Sequence, residues 1–554
     1  MPKTGLKLYS IAAVCLTIAL HTVPLNGAEE NEPVKITIVS TNDLHGYLEP
    51  VKSELTKGRP AGGAEAIAAQ IKIFKAENPD GFVLLDSGDF MSGSLISNFT
   101  RGKSVVEFYN LVGYDAAALG NHEFDFGAKY PEGDPLGILR ERLNEAQFSV
   151  VSANIYDKRI GSRFVAANLK PFHLIERKGV KIGIIGLSTV MTPITTFPDN
   201  IRDLDFKPGA DEVKSFSRIL KGYDAKLIIV LAHMGAVCED ECTGEVADLA
   251  NQLDRDSVDL IVSGHTHTRI AQWINGIPVV QAYSKGVAMS RVDLYVDPRT
   301  GLPLRNKATI YEPTFVQDNQ LLSNTAAGDS INNGRQTVQD PKVRSLMDFY
   351  MSVISKIKDQ YVCTALGPLP RKIHGESALG ILITNAMRSY FPGTQVAMYN
   401  SGGIRSDLPA GKVNYGNVFD VIPFDNTLVR MKLNGAQIRN IIDWGATRSF
   451  GLMAVSGVEA TIDMAQPSGN KVIKLNIDGK PVDPAAMYSV VTNDFLLAGG
   501  DGFRTFAKAR DIVNTYLLIR DIFEFHLRRL GTITPPTQKC YTLLNWPFTV
   551  EEMP

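Results

Sequence analysis

Five short motifs contain most of the side chains that could do chemistry in this sequence, including five of its nine histidines. One histidine would more often be an ordinary core or surface residue, but five beside Asp and Asn are hard to explain in that way. Imidazole, carboxylate and amide oxygens bind divalent metal ions, and one carboxylate can bridge two ions roughly 4 Å apart. The residue types therefore predict a two-metal hydrolytic site. The motifs are Asn42-Asp-Leu-His45, Asp86-Ser-Gly-Asp89, Gly120-Asn-His-Glu-Phe-Asp125, His233-Met-Gly235 and Gly264-His-Thr-His267.

The spacing within the motifs suggests a role for each residue. Asp43 and His45 are two apart on a segment that we expect to be extended, so both can point into one site. Asn121 offers a neutral oxygen that completes a metal's ligand shell without adding charge. His122 should point towards substrate instead, and Asp125 could hold its ring nitrogen and raise its basicity. The predicted metal ligands are Asp43, His45, Asp89, Asn121, His233, His265 and His267, and the predicted catalytic residues are His122 and Asp125.

The elements that must position these motifs are short, β-rich runs. Several runs are almost continuously apolar, as expected of strands that are buried on both faces between helices. A polar motif follows most of them directly, and loops after strand ends are where α/β proteins assemble their sites. The sequence thus predicts an α/β domain over residues 34–312. The runs are 34–39, 82–85, 116–119, 180–185, 227–231 and 260–262.

The remainder of the chain predicts a linker and a second α/β domain. Residues 313–340 are polar, and Pro341 opens a segment over 342–359 with apolar residues at helical spacing, so we expect a linker and connecting helix over 313–360. A second domain should occupy 361–550. Its two motifs are Asn400-Ser-Gly-Gly-Ile-Arg405 and Asn493-Asp-Phe495 running on to Phe503. By itself the Gly-Gly-x-Arg turn would more often be structural, and Phe424 and Phe495 would more often be core residues.

The first 28 residues predict a secretory signal peptide. Lys3 and Lys7 precede an apolar run at 11–20, and small residues lead to Ala28. We therefore expect an exported protein, periplasmic or secreted. A buried first helix or a retained anchor is the alternative, but the run is short for a bilayer and no second apolar stretch approaches spanning length, so stable membrane insertion is not expected. The net charge of −2 indicates no nucleic-acid polymer as a partner. Oligomeric state cannot be read from the sequence.

Four cysteines follow the predicted leader, and in an exported chain they suggest disulfides. Cys238 and Cys242 are close enough to close a local loop. Cys363 and Cys540 would then pair across the C-terminal half. Three connectivities are possible in principle, and free buried thiols or a Cys-x3-Cys zinc site are the alternatives.

In motif order and spacing, almost the whole mature sequence resembles the calcineurin-like metallophosphoesterases and, more narrowly, the secreted 5′-nucleotidase / UDP-sugar hydrolase family. The resemblance implies a four-layer α/β/β/α sandwich joined by a linker helix to a second α/β, nucleotide-binding domain. It implies one metal site of Asp43, His45, Asp89 and His267, and another of Asp89, Asn121, His233 and His265, with Asp89 as the bridge and His122 and Asp125 as the catalytic pair. Many members have Gln or Asn where this chain has His267.

The same resemblance implies substrate contacts in the second domain. Phe424 and Phe495 would hold a nucleobase, a contact of roughly 1–3 kcal/mol per base. Asn400 and Arg405 would bind phosphate or ribose oxygens, and Asp501 would accept from ribose hydroxyls. Arg371 fits the family pattern poorly, because it lies early and Ile381 replaces the expected Asn.

Three hypotheses about function follow. The first is an exported 5′-nucleotidase that hydrolyses nucleoside 5′-monophosphates with water activated by two divalent ions (Zn, Mn, Co or Mg). The second keeps the chemistry but changes the substrate, to nucleoside di- or triphosphates, UDP-sugars, 2′,3′-cyclic phosphodiesters or sulfur oxyanions. The third is a non-catalytic secreted nucleotide-binding protein, which predicts missing ligands, whereas every ligand position here is filled. The family also implies that the second domain rotates to carry substrate to the metals.

Overall fold

The computed structural model describes residue 1 and residues 32–52, 55–130, 132–239, 241–316, 330–332, 335–337, 340–372, 375–447 and 451–547. The predicted signal peptide lies outside the described residues. Within them, no helix has the length and apolar character needed to cross a membrane.

Two sheets stack face to face in the first domain. The larger has eight strands, in the order Thr309–Ile310, Ala288–Val296, Val34–Thr41, Phe82–Asp86, Ala116–Ala118, Ser149–Val151 and Leu169–Lys170, with Thr314–Phe315 also pairing with Ala288–Val296. The smaller has six, in the order Phe172–Arg177, Val180–Ser188, Leu227–His233, Leu260–Ser263, Ile277–Ala282 and Arg269–Ile274. The central strands of both sheets are parallel, so their carboxyl ends lie at one edge.

Side chains of one strand alternate between two hydrophobic cores, as the period of two along a strand requires. Val83 and Leu85 face the core between the sheets, whereas Phe82 and Leu84 face the core beneath one helical layer. The other sheet buries its outer face against a second helical layer. The predicted four-layer α/β/β/α sandwich is therefore confirmed. The helices are Ala64–Glu77, Leu95–Phe99, Lys103–Val112, Gly137–Glu145, Thr192–Thr195, Ala210–Gly222 and Glu245–Gln252.

A helix over Pro341–Lys358 connects the two domains, one residue from its predicted bounds at each end. Asp340 caps it by accepting from the backbone N–H of Lys342 and Val343. Val343 and Ile354 are buried in the first domain's helix-side core, and the Tyr350 hydroxyl donates to Glu107 at 2.6 Å. The helix therefore packs as part of the first domain.

The second domain is built on a five-stranded sheet with a hydrophobic core on each face. Its strands run in the order Ala454–Ser456, Val396–Tyr399, Met487–Asn493, Thr427–Asn434 and Arg510–Leu518. Smaller sheets join Gly411–Asn414, Tyr361–Ala365 and Thr532–Ile533, and Lys480–Pro481, Val472–Ile477, Val458–Asp463 and Tyr541–Leu544. The helices are Ala378–Tyr390, Tyr415–Val421, Gly435–Ala446, Asp494–Leu497 and Ile519–Leu530.

Of the two predicted disulfides, one is present and the other is wrong. Cys238 and Cys242 are bonded and close a short loop. Cys363 and Cys540 are free and buried. The five-stranded sheet separates them, because Cys363 lies in the core on one face of this sheet and Cys540 in the core on the other. The Cys540 thiol is directed instead at the carbonyl of Val455.

Candidate metal centre

The five motifs converge at the carboxyl-end edge of the two stacked sheets. Asn42 follows Val34–Thr41, Ser87 follows Phe82–Asp86, and His233 is the last residue of its own strand. The remaining two motifs follow Ala116–Ala118 and Leu260–Ser263. Parallel strands explain why residues so far apart in sequence meet at one place.

Five of the predicted ligands have left-handed backbone conformations. Their φ angles are 50° for Asp43, 50° for His45, 56° for Asp89, 77° for His265 and 58° for His267. For an L-residue with a Cβ this conformation costs roughly 1–2 kcal/mol. Such strain is typical of functional sites, where the surrounding fold holds a side chain in a direction that relaxed backbone would not provide.

Two groups of side chains could each hold a metal ion. Asp43, His45 and His267 form one group, and Asp89, His233 and His265 form the other; within each group the ligand atoms lie within 4.8 Å of one another. Asn121 adjoins the second group, because its Oδ1 lies 3.2 Å from His233 Nε2. The structure thus brings all seven predicted ligands together.

The second group gathers polar atoms around Nε2 of His233. His233 Nδ1 lies 2.9 Å from the carbonyl oxygen of Ser87, so Nδ1 carries a proton and Nε2 faces the site. Nε2 lies 3.0 Å from Asp89 Oδ2 and 3.2 Å from Asn121 Oδ1. With a metal ion bound there, Nε2 would keep a lone pair as its ligand atom, and a hydrogen-bonded Nδ1 is the usual arrangement of a metal-bound imidazole.

The first group has the same character. His45 Nδ1 lies 2.9 Å from the carbonyl oxygen of Ser92, so His45 Nε2 also keeps a lone pair, and it lies 3.0 Å from His267 Nε2. His267 Nε2 is in turn 3.4 Å from Asp43 Oδ1. These nitrogen and oxygen donors suit a divalent transition metal.

Asp89 lies between the two groups. Its Oδ2 is 3.0 Å from His233 Nε2 and 3.9 Å from His45 Nε2. One carboxylate oxygen therefore reaches both groups, which is the position that a bridging ligand needs. The other oxygen, Oδ1, accepts from the backbone N–H of His122 at 2.8 Å.

The protonation of the histidines fits this arrangement. Burial and His233 lower the pKa of His265 to about 3, and burial and His267 hold the pKa of His45 well below its usual value, so both are neutral as ligands must be. Burial opposes a charge on His233 too, but Asp89 outweighs it and raises the pKa of His233 to about 10. A proton on His233 thus offsets the negative charge of Asp89, which a bound divalent ion would otherwise offset.

His122 and Asp125 form a pair beside the two groups. His122 Nδ1 lies 2.7 Å from Asp125 Oδ2. Asp125 also accepts from Ser92 Oγ at 2.9 Å and from Thr196 Oγ1 at 2.7 Å, so its carboxylate is fixed. Burial would lower the pKa of His122, but Asp125 and Asp89 outweigh it and raise that pKa above its ordinary value.

Glu123 is a supporting residue that sequence reasoning missed. Its buried carboxylate accepts from the backbone N–H groups of Asp89, Phe90, Met91 and Gly120 at 2.7–3.1 Å. It therefore braces the two loops that carry Asp89 and Asn121. Its position inside the Gly120–Asp125 motif is the feature of the sequence that could have indicated a role at the site.

Predicted substrate-binding residues of the second domain lie close to this centre. Arg405 Nη2 is 3.4 Å from His45 Nε2, and the Phe424 ring stacks on His122 with centroids 5.5 Å apart and an interplanar angle of 21°. Burial and the positive charge of Arg405 lower the pKa of Arg371, which fits the family pattern poorly, to about 10. The first domain therefore contacts two of these residues directly.

The other predicted residues form a second cluster. Asn400 Nδ2 donates to Asp501 Oδ2 at 2.7 Å, and Asn493 Nδ2 donates to Asn400 Oδ1 at 3.0 Å. Phe495 packs so closely on Gly500 that a Cβ there would lie 2.4 Å from its ring. The turn Gly500–Gly502, which carries Asp501, packs against the first-domain helix Thr192–Thr195.

Comparison with known proteins agrees with this geometry. Residues 36–269 match the family model of calcineurin-like phosphoesterases, and residues 354–508 match that of the 5′-nucleotidase C-terminal domain. The fold and site thus define a calcineurin-like, metal-dependent phosphoester hydrolase, a class that uses two divalent ions. More narrowly, the chain belongs to the 5′-nucleotidase family.

Individual relatives extend over most of the chain. The 5′-nucleotidase of Vibrio cholerae is 27% identical, with 95% of this chain and 96% of the relative covered. The solved structure of a 5′-nucleotidase precursor from Thermus thermophilus superposes with a TM-score of 0.78 at 28% identity, covering 93% of this chain and all of that one. The endonuclease YhcR of Bacillus subtilis is 29% identical over 84% of this chain, which spans only 37% of that relative's length. The cell wall protein Lmo0130 of Listeria monocytogenes is 29% identical over 89% of this chain and 67% of its own length.

Proposed function

We propose that this protein hydrolyses nucleoside 5′-monophosphates to nucleoside and phosphate. The observation that carries the proposal is the stack of Phe424 on His122, because it places a ring suited to a nucleobase beside the paired histidine of the metal centre. A phosphate ester that enters between the domains would have its base at Phe424 and its phosphorus near the two ligand groups.

We propose that Asp43, His45, Asp89 and His267 hold one divalent ion and that Asp89, Asn121, His233 and His265 hold the other. Ions bound there would lower the pKa of a coordinated water and polarise the phosphoryl oxygens. The residues present suit this role, since they supply imidazole, carboxylate and amide donors around a shared carboxylate. His267 is a competent imidazole ligand at a position where many relatives have an amide.

The chain's own residues would act on the phosphoryl group from two sides. Asp125 binds Nδ1 of His122, so the proton on the opposite nitrogen, Nε2, can be donated to a phosphoryl oxygen as charge develops there. Arg405, next to His45, offers a fork of N–H donors to the same group. Phe495 would hold the base together with Phe424, and Asn400, Asp501 and Arg371 would hold the remainder of the nucleotide.

We also propose export and a division into domains. The predicted leader at 1–28 and the cell-wall relative favour export. The separate hydrophobic cores favour a metallophosphoesterase domain at 34–312, a connecting segment at 313–360 and a substrate-binding domain at 361–550. N-terminal sequencing of protein recovered outside the cytoplasm of an expressing cell should begin at Glu29, and protein found only inside the cytoplasm with an intact Met1 would contradict export.

The test of the activity is a substrate panel with metal-replete protein. AMP, ADP, a UDP-sugar, 2′,3′-cyclic AMP and p-nitrophenyl phosphate would be compared for phosphate release, with wild type and His122→Asn. We expect AMP to have the highest kcat/KM, and His122→Asn to lose roughly 10²–10⁴ of kcat with its metal content intact. Highest activity on another substrate would transfer the assignment to that substrate, and unchanged activity of His122→Asn would refute the role of His122.

A further inference from the structure

Asn98 joins the metal-centre loop of the first domain to the second domain. It lies on the helix Leu95–Phe99 and is half-buried. Its side-chain Oδ1 accepts from the backbone N–H of Gly93 at 2.9 Å, and its Nδ2 donates to the carbonyl of Pro423 at 3.0 Å. One amide group therefore bonds with both domains at once.

The two partners of Asn98 each adjoin residues of the proposed chemistry. Gly93 follows Ser92, whose carbonyl fixes His45 and whose hydroxyl donates to Asp125. Pro423 precedes Phe424, whose ring stacks on His122. Asn98 thus lies at the point where the metal-centre loop and the Phe424 segment are connected.

The Phe424 segment is rigid on its own side. Arg520 is buried, and its Nη1 lies 3.2–3.5 Å from the carbonyl oxygens of Ile422, Pro423 and Phe424, while its Nη2 binds Asp425 at 2.6 Å. The carbonyl of Pro423 therefore cannot turn away from Asn98 without disturbing this network. Loss of the Asn98 bond should change how the segment docks on the first domain, because the segment itself is held.

We propose that Asn98 is a positioning residue, which fixes where the Phe424 segment lies over His122. The inference rests on the proposed function for its consequence in catalysis, but the docking contact stands on its own geometry. Its side-chain hydrogen bonds go to Gly93 and Pro423, so its effect on the site passes through the Ser92–Gly93 loop and the Phe424 segment.

Two substitutions separate docking from local structure. Asn98→Asp keeps an oxygen for the Gly93 N–H but replaces the donor to Pro423 with a second acceptor, whereas Asn98→Ala removes both bonds. Asn168→Asp is the matched control, because the Asn168 Nδ2 donates to the carbonyls of Ala146 and Phe148 within the first domain. A role limited to capping Gly93 predicts that Asn98→Asp behaves like wild type.

We expect Asn98→Asp and Asn98→Ala both to lower kcat/KM for AMP by roughly three- to ten-fold, the effect of one lost hydrogen bond. Hydrolysis of glycerol phosphate, which has no aromatic ring to contact Phe424, should change less than about two-fold, the range of roughly 0.3–0.5 kcal/mol expected of independent sites, with metal content unchanged. Hydrogen–deuterium exchange of the peptide 418–428 should be faster in both variants and unchanged in Asn168→Asp.

Wild-type nucleotide kinetics and wild-type exchange in Asn98→Asp would overturn the proposal. The exchange measurement also keeps the two proposals apart. If the wild-type protein cleaved no nucleotide, the proposed function would fail, yet faster exchange at 418–428 in Asn98→Asp would still support the docking contact.

Discussion

At Gly88 both the backbone conformation and the packing of the metal centre exclude a side chain. Its φ is +98°, and a Cβ would lie 2.7 Å from the Gly120 nitrogen and 2.9 Å from His233 Nδ1. Gly88→Ala should therefore displace His233 and lose at least one of the two metal ions, as measured by elemental analysis of purified protein. Gly113→Ala is the control, since Gly113 has φ +83° but no atom within 4 Å of its Cβ. It should cost roughly 1–2 kcal/mol of backbone strain and keep both ions. Two ions in Gly88→Ala would contradict this description of the centre.

His122 gives a pH prediction at the same scale. Its pKa is raised, since Asp125 and Asp89 outweigh the burial that lowers it. If protonated His122 is the donor, activity falls as pH rises through that pKa. Asp125→Asn removes one raising charge, so the alkaline limb of the kcat/KM profile should move to lower pH. The exposed carboxylate Asp199 gives the control Asp199→Asn, which should leave the limb in place. A limb that did not move in Asp125→Asn would remove His122 as its source.

The ligand types could be predicted from the sequence because each motif follows an apolar strand. The left-handed conformation of the ligands could not be predicted from the sequence. Asp and His adopt it more often than most residues do, but it is uncommon for both residue types. Glu123 was missed for a related reason. Its role is to accept from backbone N–H groups, and that depends on where two loops meet and not on the residue type.

At the scale of elements, Glu123 connects the loops that follow Phe82–Asp86 and Ala116–Ala118. Glu123→Gln would turn one accepting oxygen into a donor that faces backbone N–H groups. We expect the free energy of unfolding to fall by roughly 1–3 kcal/mol and metal to dissociate at lower chelator concentration. Urea titration and chelator titration measure these effects, with the exposed Glu176→Gln as control. Wild-type values for both quantities in Glu123→Gln would show that the brace is not needed.

The cysteines test the packing of the second domain. With Cys363 and Cys540 on opposite faces of one sheet, the chain from residue 29 onward should give two free thiols after denaturation without reductant. A thiol titration in denaturant counts them, and the same titration after reduction should give four. No free thiol before reduction would restore the pairing that the sequence suggested.

The incorrect prediction of a Cys363–Cys540 disulfide shows which features of the fold could not be predicted from the sequence. Strands, the connecting helix and the local Cys238–Cys242 loop depend on nearby residues, and the sequence predicts them well. Which face of a sheet a distant cysteine occupies depends on register and on long-range topology, and a shift of one residue reverses it. The sequence does not show which face of the sheet Cys363 or Cys540 occupies, so their pairing could not be predicted correctly.

At the scale of the whole molecule, the two domains meet across the centre. His45 faces Arg405, His122 stacks on Phe424, and Lys285 donates to the carbonyl of Arg405. Sequence could identify the two domains but not these contacts, which depend on how the domains are oriented. The resemblance to a family implied a nucleotide site shared by both domains, and these contacts supply the physical basis for it.

The metal dependence of phosphate release from AMP is the decisive measurement of two-metal nucleotide hydrolysis by this protein. Protein stripped of metal by a chelator and protein reloaded with a divalent ion would be compared, with bound metal counted in the same samples. We expect no release from the stripped protein, and release after reloading that reaches its maximum at two ions per chain. Protein that holds two ions yet releases no phosphate from AMP or any other nucleoside 5′-monophosphate would contradict this expectation.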